Sequence, residues 1–212
     1  MSPFFPFAGI ILGVVFAPTM MAGAVWSVRT TLQAGWRGGL AATTAMSAAQ
    51  VIWSSVAGVL LFAAGHLADY TDTPLRFLAA AVLAFMALAV KRSRPLTQLT
   101  NPHPVGSPWA ILRRTFSLAL LMPMRFAGYA ALIVAVSLHL RDYGWANGIG
   151  LGIGIGLGSF AWWIFFTILA ALFGKSVPEE ISLKSLNKLR VLAVAVLLGL
   201  ATLTLLPLLI SP

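Results

Sequence analysis

Arg125 is the residue whose type and position could most readily do chemistry, because it lies within an otherwise apolar run, residues 116–140. An ionised side chain inside a membrane helix costs at least about 2.5 kcal/mol, so it usually faces a polar cavity or a partner. Pro123, two residues earlier, frees the backbone carbonyl of Ala119 at nearly the same depth. The pair predicts a broken helix with a buried cation that holds a carboxylate or another anion by charge-assisted hydrogen bonds.

A second interruption is predicted at Pro18, which should free the carbonyl of Val14. Thr19 follows it with a hydroxyl, and Gln50 places a neutral amide inside the next apolar run. Gln50 could contact a solute or merely hydrogen-bond a neighbouring helix, and each proline could be an ordinary transmembrane kink. The hypothesis that we carry forward is one solute-binding site, formed by Pro18, Thr19, Gln50, Pro123 and Arg125.

The composition identifies the environment in which such a site would lie. The chain has 212 residues, of which 59% are hydrophobic and 9% are charged, whereas soluble domains contain about 25% charged residues. We therefore expect an all-α membrane protein. Cysteine is absent, which excludes disulfides, thiolate catalysis and cysteine-ligated metals.

Hydropathy predicts six transmembrane helices, since apolar stretches of roughly 20 residues cross a bilayer. The third is short, and Arg76 and Lys91 at its ends could snorkel to lengthen it. The predicted spans are residues 4–28, 40–65, 75–90, 116–140, 147–174 and 189–210.

The distribution of positive charge sets the predicted orientation. Most of the 14 Lys and Arg residues follow the first, third and fifth spans, which places those loops in the cytoplasm. Both termini of a multi-pass protein of the bacterial inner membrane are then periplasmic, and no signal peptide is expected. This arrangement explains the net charge of +9 without a nucleic-acid partner, because the proline-rich segment 91–114 has few aromatic residues and suits an exposed linker.

Six spans divide into two inverted three-helix repeats, an arrangement common in secondary transporters. The motif Pro18-Thr-Met-Met-Ala-Gly resembles Pro123-Met-Arg-Phe-Ala-Gly, and Gly35-Trp36-x-x-Gly resembles Gly144-Trp145-x-x-Gly. The predicted organisation is a first repeat at 1–90, a basic cytoplasmic linker at 91–114 and a second repeat at 115–212. Both prolines then fall near the membrane midplane.

Alternating glycines in the fifth span form two rows with a spacing of four residues, one at 148, 152 and 156 and the other at 150, 154 and 158. The rows lie on roughly opposite faces of a helix, so this helix is predicted to pack closely on two neighbours. The same faces could also form a homodimer.

Enzymatic sites find little support in the sequence. The predicted spans contain no acidic residue, the three histidines have no second ligand at a useful spacing, and paired carboxylates and HExxH are absent. We expect neither an enzyme nor a bound metal or cofactor.

Motifs spread over nearly the whole chain are similar to those of the lysine exporter (LysE/RhtB-type) superfamily of amino-acid exporters. They comprise a proline in the first helix, a glycine-and-arginine turn, a small-xxx-small element, a proline in the fourth helix, a tryptophan pair in the fifth and a polar start to the last. In this sequence they are Ala17-Pro18-Thr19, Gly35-Trp36-Arg37-Gly38-Gly39, Ala45 with Ala49 and Gln50, Met122-Pro123-Met124, Trp162-Trp163 and Asn187-Lys188.

The resemblance implies six spans in two inverted halves and export of an amino acid. The chain departs from the family at three points: one proline replaces the family's Pro-Gly-Pro, Gln50 stands where an acidic residue is common, and Arg125 is additional. These differences are those of a divergent member with a different solute.

The leading functional hypothesis is a secondary transporter that exports a small amino-acid-like solute, neutral zwitterionic or anionic, across the inner membrane. A strongly cationic solute is disfavoured because no acid lies within the membrane. The alternative is a non-transporting integral membrane subunit or scaffold, in which Arg125 would be neutralised inside the fold or by a partner helix.

Overall fold

The structure, a computed structural model, describes residues 4–63, 68–93, 106–122, 124–136, 144–174 and 179–210. This part of the chain is helical, with no strand within it. The helices are α1 (Phe4–Phe16), a 3-10 turn (Ala17–Thr19), α2 (Met21–Ala63), α3 (Ala68–Arg92), α4 (Pro108–Leu120), α5 (Met124–Val136), α6 (Trp145–Phe173) and α7 (Glu179–Ile210).

Four of these helices contain a segment that is long and apolar enough to cross a membrane. The segments are Gly23–Ala63, Thr73–Arg92, Trp145–Phe173 and Asn187–Leu208. The pair α4 and α5, bent by 66° at their junction, would make a fifth if both belong to one span. The expectation of an all-helical, membrane-embedded protein is therefore confirmed at this level.

Helix α2 is a hairpin rather than one straight rod. The Ser27 and Thr43 hydroxyl oxygens lie 3.1 Å apart, although 16 residues of straight helix would separate them by about 24 Å. The chain reverses at Gly35, whose φ of 72° and ψ of −178° are not helical. We call residues 21–34 the first arm of α2 and residues 36–63 the second arm.

Replacing Gly35 by alanine is expected to destabilise the fold by about 1–3 kcal/mol, because its backbone region is nearly exclusive to glycine. A β-carbon would meet no atom within 4 Å there, so the cost is conformational and not steric. Gly144 is the matched control: it has equal space and an ordinary extended backbone. Thermal unfolding in detergent should show a lower midpoint for Gly35→Ala alone, and equal loss in both variants would contradict this explanation.

Helices α4 and α5 lie where one span, broken at Pro123, was predicted at residues 116–140. Helix α4 begins at Pro108 and already includes Arg113 and Arg114, so the predicted linker 91–114 is too long at its carboxyl end. The reason is a local start signal that hydropathy ignores: the Ser107 hydroxyl accepts a hydrogen bond from the Ala110 amide, 3.4 Å away, and proline suits the first helical position. Residues 94–105 of the linker lie outside the described part.

Helix α6 lies between two neighbours, as its glycine rows predicted. A β-carbon on Gly152 would collide with Ser55 on the second arm of α2, and one on Gly154 would collide with the backbone of Pro6 on α1. Gly58 meets Gly148 in the same antiparallel contact with the second arm. Both rows are thus covered by α1 and the second arm of α2 within one chain.

Helices α3 and α7 are both longer than the spans predicted for them and pack against each other. The Arg190 guanidinium of α7 donates to the carbonyl of Val90, with Nε 2.8 Å from the oxygen, and also to those of Lys91 and Ser93. These carbonyls lie at the end of α3, where helical partners run out and cations are favoured. The expectation that Arg76 snorkels at a span end is not met, since its side chain is only 5% exposed.

Candidate functional site

The first helix break has the position predicted for Pro18 but is largely satisfied by its own chain. Pro18 is buried in the turn after α1. The Thr19 hydroxyl donates to the Phe16 carbonyl at 2.6 Å, and the Met20 amide donates to the Ala17 carbonyl at 3.1 Å. The Thr19 hydroxyl therefore donates its proton to the backbone of the break. Only the lone pairs of its oxygen remain to accept a hydrogen bond from another group.

The second break places Arg125 at the start of a helix. Pro123 itself lies outside the described residues. Helix α4 ends at Leu120, and Arg125 is the second residue of α5, with its amide donating to the Met122 carbonyl at 3.1 Å. The first turn of a helix carries a partial positive charge, so the guanidinium and the end of α5 favour an anion at the same place.

Arg125 lines a cavity of about 170 Å³ between α2, α4 and α5. Its walls are otherwise almost entirely apolar, and Leu118 and Met122, each nearly half exposed, lie at its edge. The lining residues are Gly23, Trp26, Met46, Thr115, Leu118, Ala119, Met122 and Arg125.

The polar groups of this cavity differ in whether they already have a hydrogen-bond partner. The Thr115 hydroxyl accepts a hydrogen bond from Trp26 Nε1 at 2.9 Å, so these two groups satisfy each other. The Arg125 Nη1 atom is buried without a hydrogen-bond partner in the described part of the chain. A desolvated cation with a spare donor in an apolar cavity can bind a carboxylate strongly.

A second polar cluster lies one helical turn from the cavity, further into the protein. Gln50 Nε2 donates to the Met20 sulfur at 3.1 Å, and the Tyr129 hydroxyl donates to the same sulfur at 3.6 Å. Both donor side chains are fully buried. Gln50 Oε1 has no hydrogen-bond partner among the described residues. Two roles were left open for Gln50, a contact between helices and a contact with solute. Its Nε2 atom makes the first, and its Oε1 atom is available for the second.

The structure therefore places the predicted residues in two adjoining layers. Pro18 and Thr19 precede Met20, which contacts Gln50, while Arg125 lies in the cavity beside them. None of the residues at the first break lines that cavity.

A buried polar stripe on the second arm of α2 was missed by the sequence reasoning. Its hydroxyl and amide side chains recur at spacings of four, three and four residues, which is one face of a helix. That spacing, inside an apolar span, is the signal that could have revealed it. The members are Thr43, Ser47, Gln50 and Ser54, all at most 6% exposed.

Two polar atoms on or beside this stripe have no hydrogen-bond partner within the described ranges. The Ser47 hydroxyl and the Trp163 indole nitrogen are buried without hydrogen-bond partners within the described ranges. A β-carbon on Gly23, a cavity residue, would lie 3.1 Å from that indole nitrogen. Buried polar groups normally have partners, so this concentration of unpartnered atoms fits a path for a polar solute or water.

The described residues contain no group of three or more His, Asp or Glu side chains that could hold a metal ion. Comparison with known proteins finds no matching family model, no matching curated protein and no matching solved structure.

Proposed function

We propose that this protein is a secondary transporter that exports a small amino-acid-like solute, zwitterionic or anionic, across the bacterial inner membrane. The observation that carries the proposal is the Arg125 guanidinium, with its unpartnered Nη1 atom, in an apolar cavity at a helix break. The cation would hold the solute carboxylate, and the apolar walls would cover the rest of the solute.

The size of the cavity limits the solute. A cavity of about 150 Å³ accommodates benzene, so about 170 Å³ suits a body of similar size. Phenylalanine and 3-phenylpropanoate are suitable probes, since both carry one ring and one carboxylate and they differ in the ammonium group. The matched negative probe is 2-phenylethylamine, which keeps the ring and ammonium but lacks the carboxylate.

Two inverted repeats are part of the proposal, and the order of elements supports them. A 13-residue helix, a break, a second helical segment of similar length, a Gly-Trp pair and a long helix occur once from α1 to the second arm of α2 and again from α4 to α6. We propose six crossings: α1 with the first arm of α2, the second arm, α3, α4 with α5, α6, and α7.

Packing between the halves also supports this symmetry. Helix α1 runs alongside α6 in the same direction, with Gly9 beside Leu151 and Gly13 beside Ile155. Helix α4 lies along the second arm of α2, where Ile111 packs on Ala41 and Ala42. Exchanging the halves converts one helix pair into the other, as a two-fold axis in the membrane plane would.

The six-crossing topology can be tested with single cysteines, because the chain has none of its own. Gly106→Cys and Gly144→Cys should lie on opposite sides of the membrane, the first cytoplasmic and the second periplasmic. A membrane-impermeant maleimide added to intact cells should label only Gly144→Cys, whereas a permeant maleimide should label both. Labelling of Gly106→Cys alone would show the reverse orientation, and labelling of both by the impermeant reagent would exclude inverted repeats.

Solute-induced stabilisation of the purified protein tests the proposed function. A ligand that binds only the folded state stabilises it by about 2.7 kcal/mol at 100 times its Kd. Phenylalanine and 3-phenylpropanoate should raise the unfolding midpoint, and 2-phenylethylamine and lysine should not. Stabilisation by the two cationic compounds, with none by the carboxylates, would overturn the proposal.

The resemblance to the lysine exporter superfamily remains part of this proposal, because it is the reason for proposing an amino acid as the solute. The second candidate, a non-transporting membrane subunit, is favoured by the dense packing of α6 through its glycine rows. In such a subunit the Arg125 Nη1 atom, unpartnered within the described chain, would be neutralised by a partner helix, whereas in the carrier it would hold the solute.

A further inference from the structure

Two buried hydrogen-bond donors share a single sulfur atom as their acceptor. Gln50 Nε2 and the Tyr129 hydroxyl lie 3.1 and 3.6 Å from the Met20 sulfur, and both side chains are 0% exposed. A thioether is a weak acceptor, while an amide or a phenol can donate far more strongly to a carboxylate. The donors are therefore fully buried but poorly satisfied.

The three residues form the layer directly beyond the Arg125 cavity. Met20 precedes the lining residue Gly23 by three positions, and Tyr129 follows Arg125 by four. Gln50 likewise follows the lining residue Met46 by four positions. Residues four apart lie on one helix face, so Gln50 and Tyr129 continue the cavity by one turn on two helices. Met20 lies in the turn that precedes the third segment.

Met20 lies between two helical segments and carries a flexible side chain. It lies between the 3-10 turn and α2, with a φ of −98° and a ψ of 53°, so it belongs to neither helix. Its unbranched side chain has three rotatable bonds. A rotation of that side chain would uncover both donors without moving the backbone of either helix.

We propose that Gln50 and Tyr129 form a second carboxylate subsite, which Met20 occludes in this conformation. This inference rests on the proposed transport function and adds to it the inner binding position. A carboxylate leaving Arg125 would accept hydrogen bonds from Gln50 Nε2 and the Tyr129 hydroxyl once the sulfur has moved. The unpartnered Gln50 Oε1 would accept from a neighbouring ammonium, so the inner subsite selects α-amino acids over simple carboxylates.

Met20→Leu tests the sulfur as a competing acceptor, because leucine has a similar volume and no acceptor atom. With the sulfur gone, the two donors have only the solute carboxylate, so the Kd for phenylalanine should fall by about tenfold. The gain should be smaller for 3-phenylpropanoate, which lacks the ammonium. Met86→Leu is the control, since Met86 packs on Gly128 while Gln50 and Tyr129 donate to the Met20 sulfur, and it should leave the Kd unchanged.

The double variant Met20→Leu/Tyr129→Phe identifies the donor. The double variant should lose the gain in affinity for phenylalanine that Met20→Leu produces, because the Tyr129 hydroxyl that would donate to the carboxylate is removed. An unchanged Kd in Met20→Leu, or a gain that persists in the double variant, would overturn the second subsite.

Tyr129→Phe alone provides a test that does not depend on folding of the Met20 variant. Arg125-dependent binding of phenylalanine should remain, while its exchange across proteoliposomes should slow by at least about tenfold. Normal exchange would overturn this inference and leave the proposed function standing. Binding that does not depend on Arg125 would instead remove the proposed function itself.

Discussion

Arg125→Gln is expected to weaken binding of phenylalanine and 3-phenylpropanoate by roughly 10- to 100-fold. Hydrogen bonds between ionised groups contribute about 1.5–3 kcal/mol, and each 1.4 kcal/mol is tenfold in Kd. Arg125→Lys keeps the charge but loses the planar pair of donors, so its affinity should be intermediate. Titration of the purified variants with both solutes measures these differences.

The same substitution should leave the protein as stable as the parent, or more stable. A buried cation whose Nη1 atom has no partner in the described chain destabilises the folded state, and removing it relieves that cost. Arg114→Gln is the control for charge alone, because Arg114 lies on α4 at an exposed position outside the cavity. It should change neither binding nor stability.

The outcome also separates the carrier from the scaffold. In a scaffold, Arg125 would be neutralised by a partner, so its loss would lower the unfolding midpoint or prevent assembly. A destabilised Arg125→Gln that binds solute as well as the parent does would contradict the assignment of Arg125 as the anion-binding residue.

Gly154→Ala is expected to destabilise the fold strongly, by about 3 kcal/mol or more. A single β-carbon there would collide with the carbonyl of Pro6 and the backbone of Gly9 on α1, neither of which can rotate away. Overpacking a close contact typically costs 1–3 kcal/mol, and here both sides of the clash are backbone. The midpoint of thermal unfolding in detergent should fall by many degrees.

Gly199→Ala is the matched control on α7. A β-carbon at Gly199 meets nothing within 4 Å, and alanine favours a helix interior over glycine by about 0.5–1 kcal/mol. This variant should therefore be slightly more stable than the parent. Equal stability of Gly154→Ala and the parent would show that α1 and α6 are not packed as closely as described.

Hydropathy and glycine spacing were sufficient to predict the helical membrane architecture and the packing of α6, because both depend on local sequence. The reversal at Gly35 was only partly predictable: the two spans around it were expected, but not that the helix continues up to the turn on both sides. The bend between α4 and α5 was foreshadowed by Pro123, yet its angle depends on packing. The start of α4 at Pro108 follows from the capping residue Ser107, which a hydropathy profile does not detect.

The candidate site was harder to predict than the fold. Arg125 and Gln50 were selected because polar groups are costly in a membrane, a rule that uses sequence alone. Met20 was not among the predicted site residues, since its role as a shared acceptor depends on how three segments meet. The burial of Arg76 was missed for the same reason: sequence position near a span end does not fix the neighbours of a side chain.

Solute counterflow is the most direct test of the claim that Arg125 holds a transported carboxylate. Proteoliposomes preloaded with unlabelled phenylalanine should accumulate labelled phenylalanine when they contain the parent protein. Those with Arg125→Gln should match liposomes without protein, while Arg114→Gln should match the parent. Accumulation by Arg125→Gln at the parent's rate, or no accumulation of either phenylalanine or 3-phenylpropanoate by the parent, would contradict it.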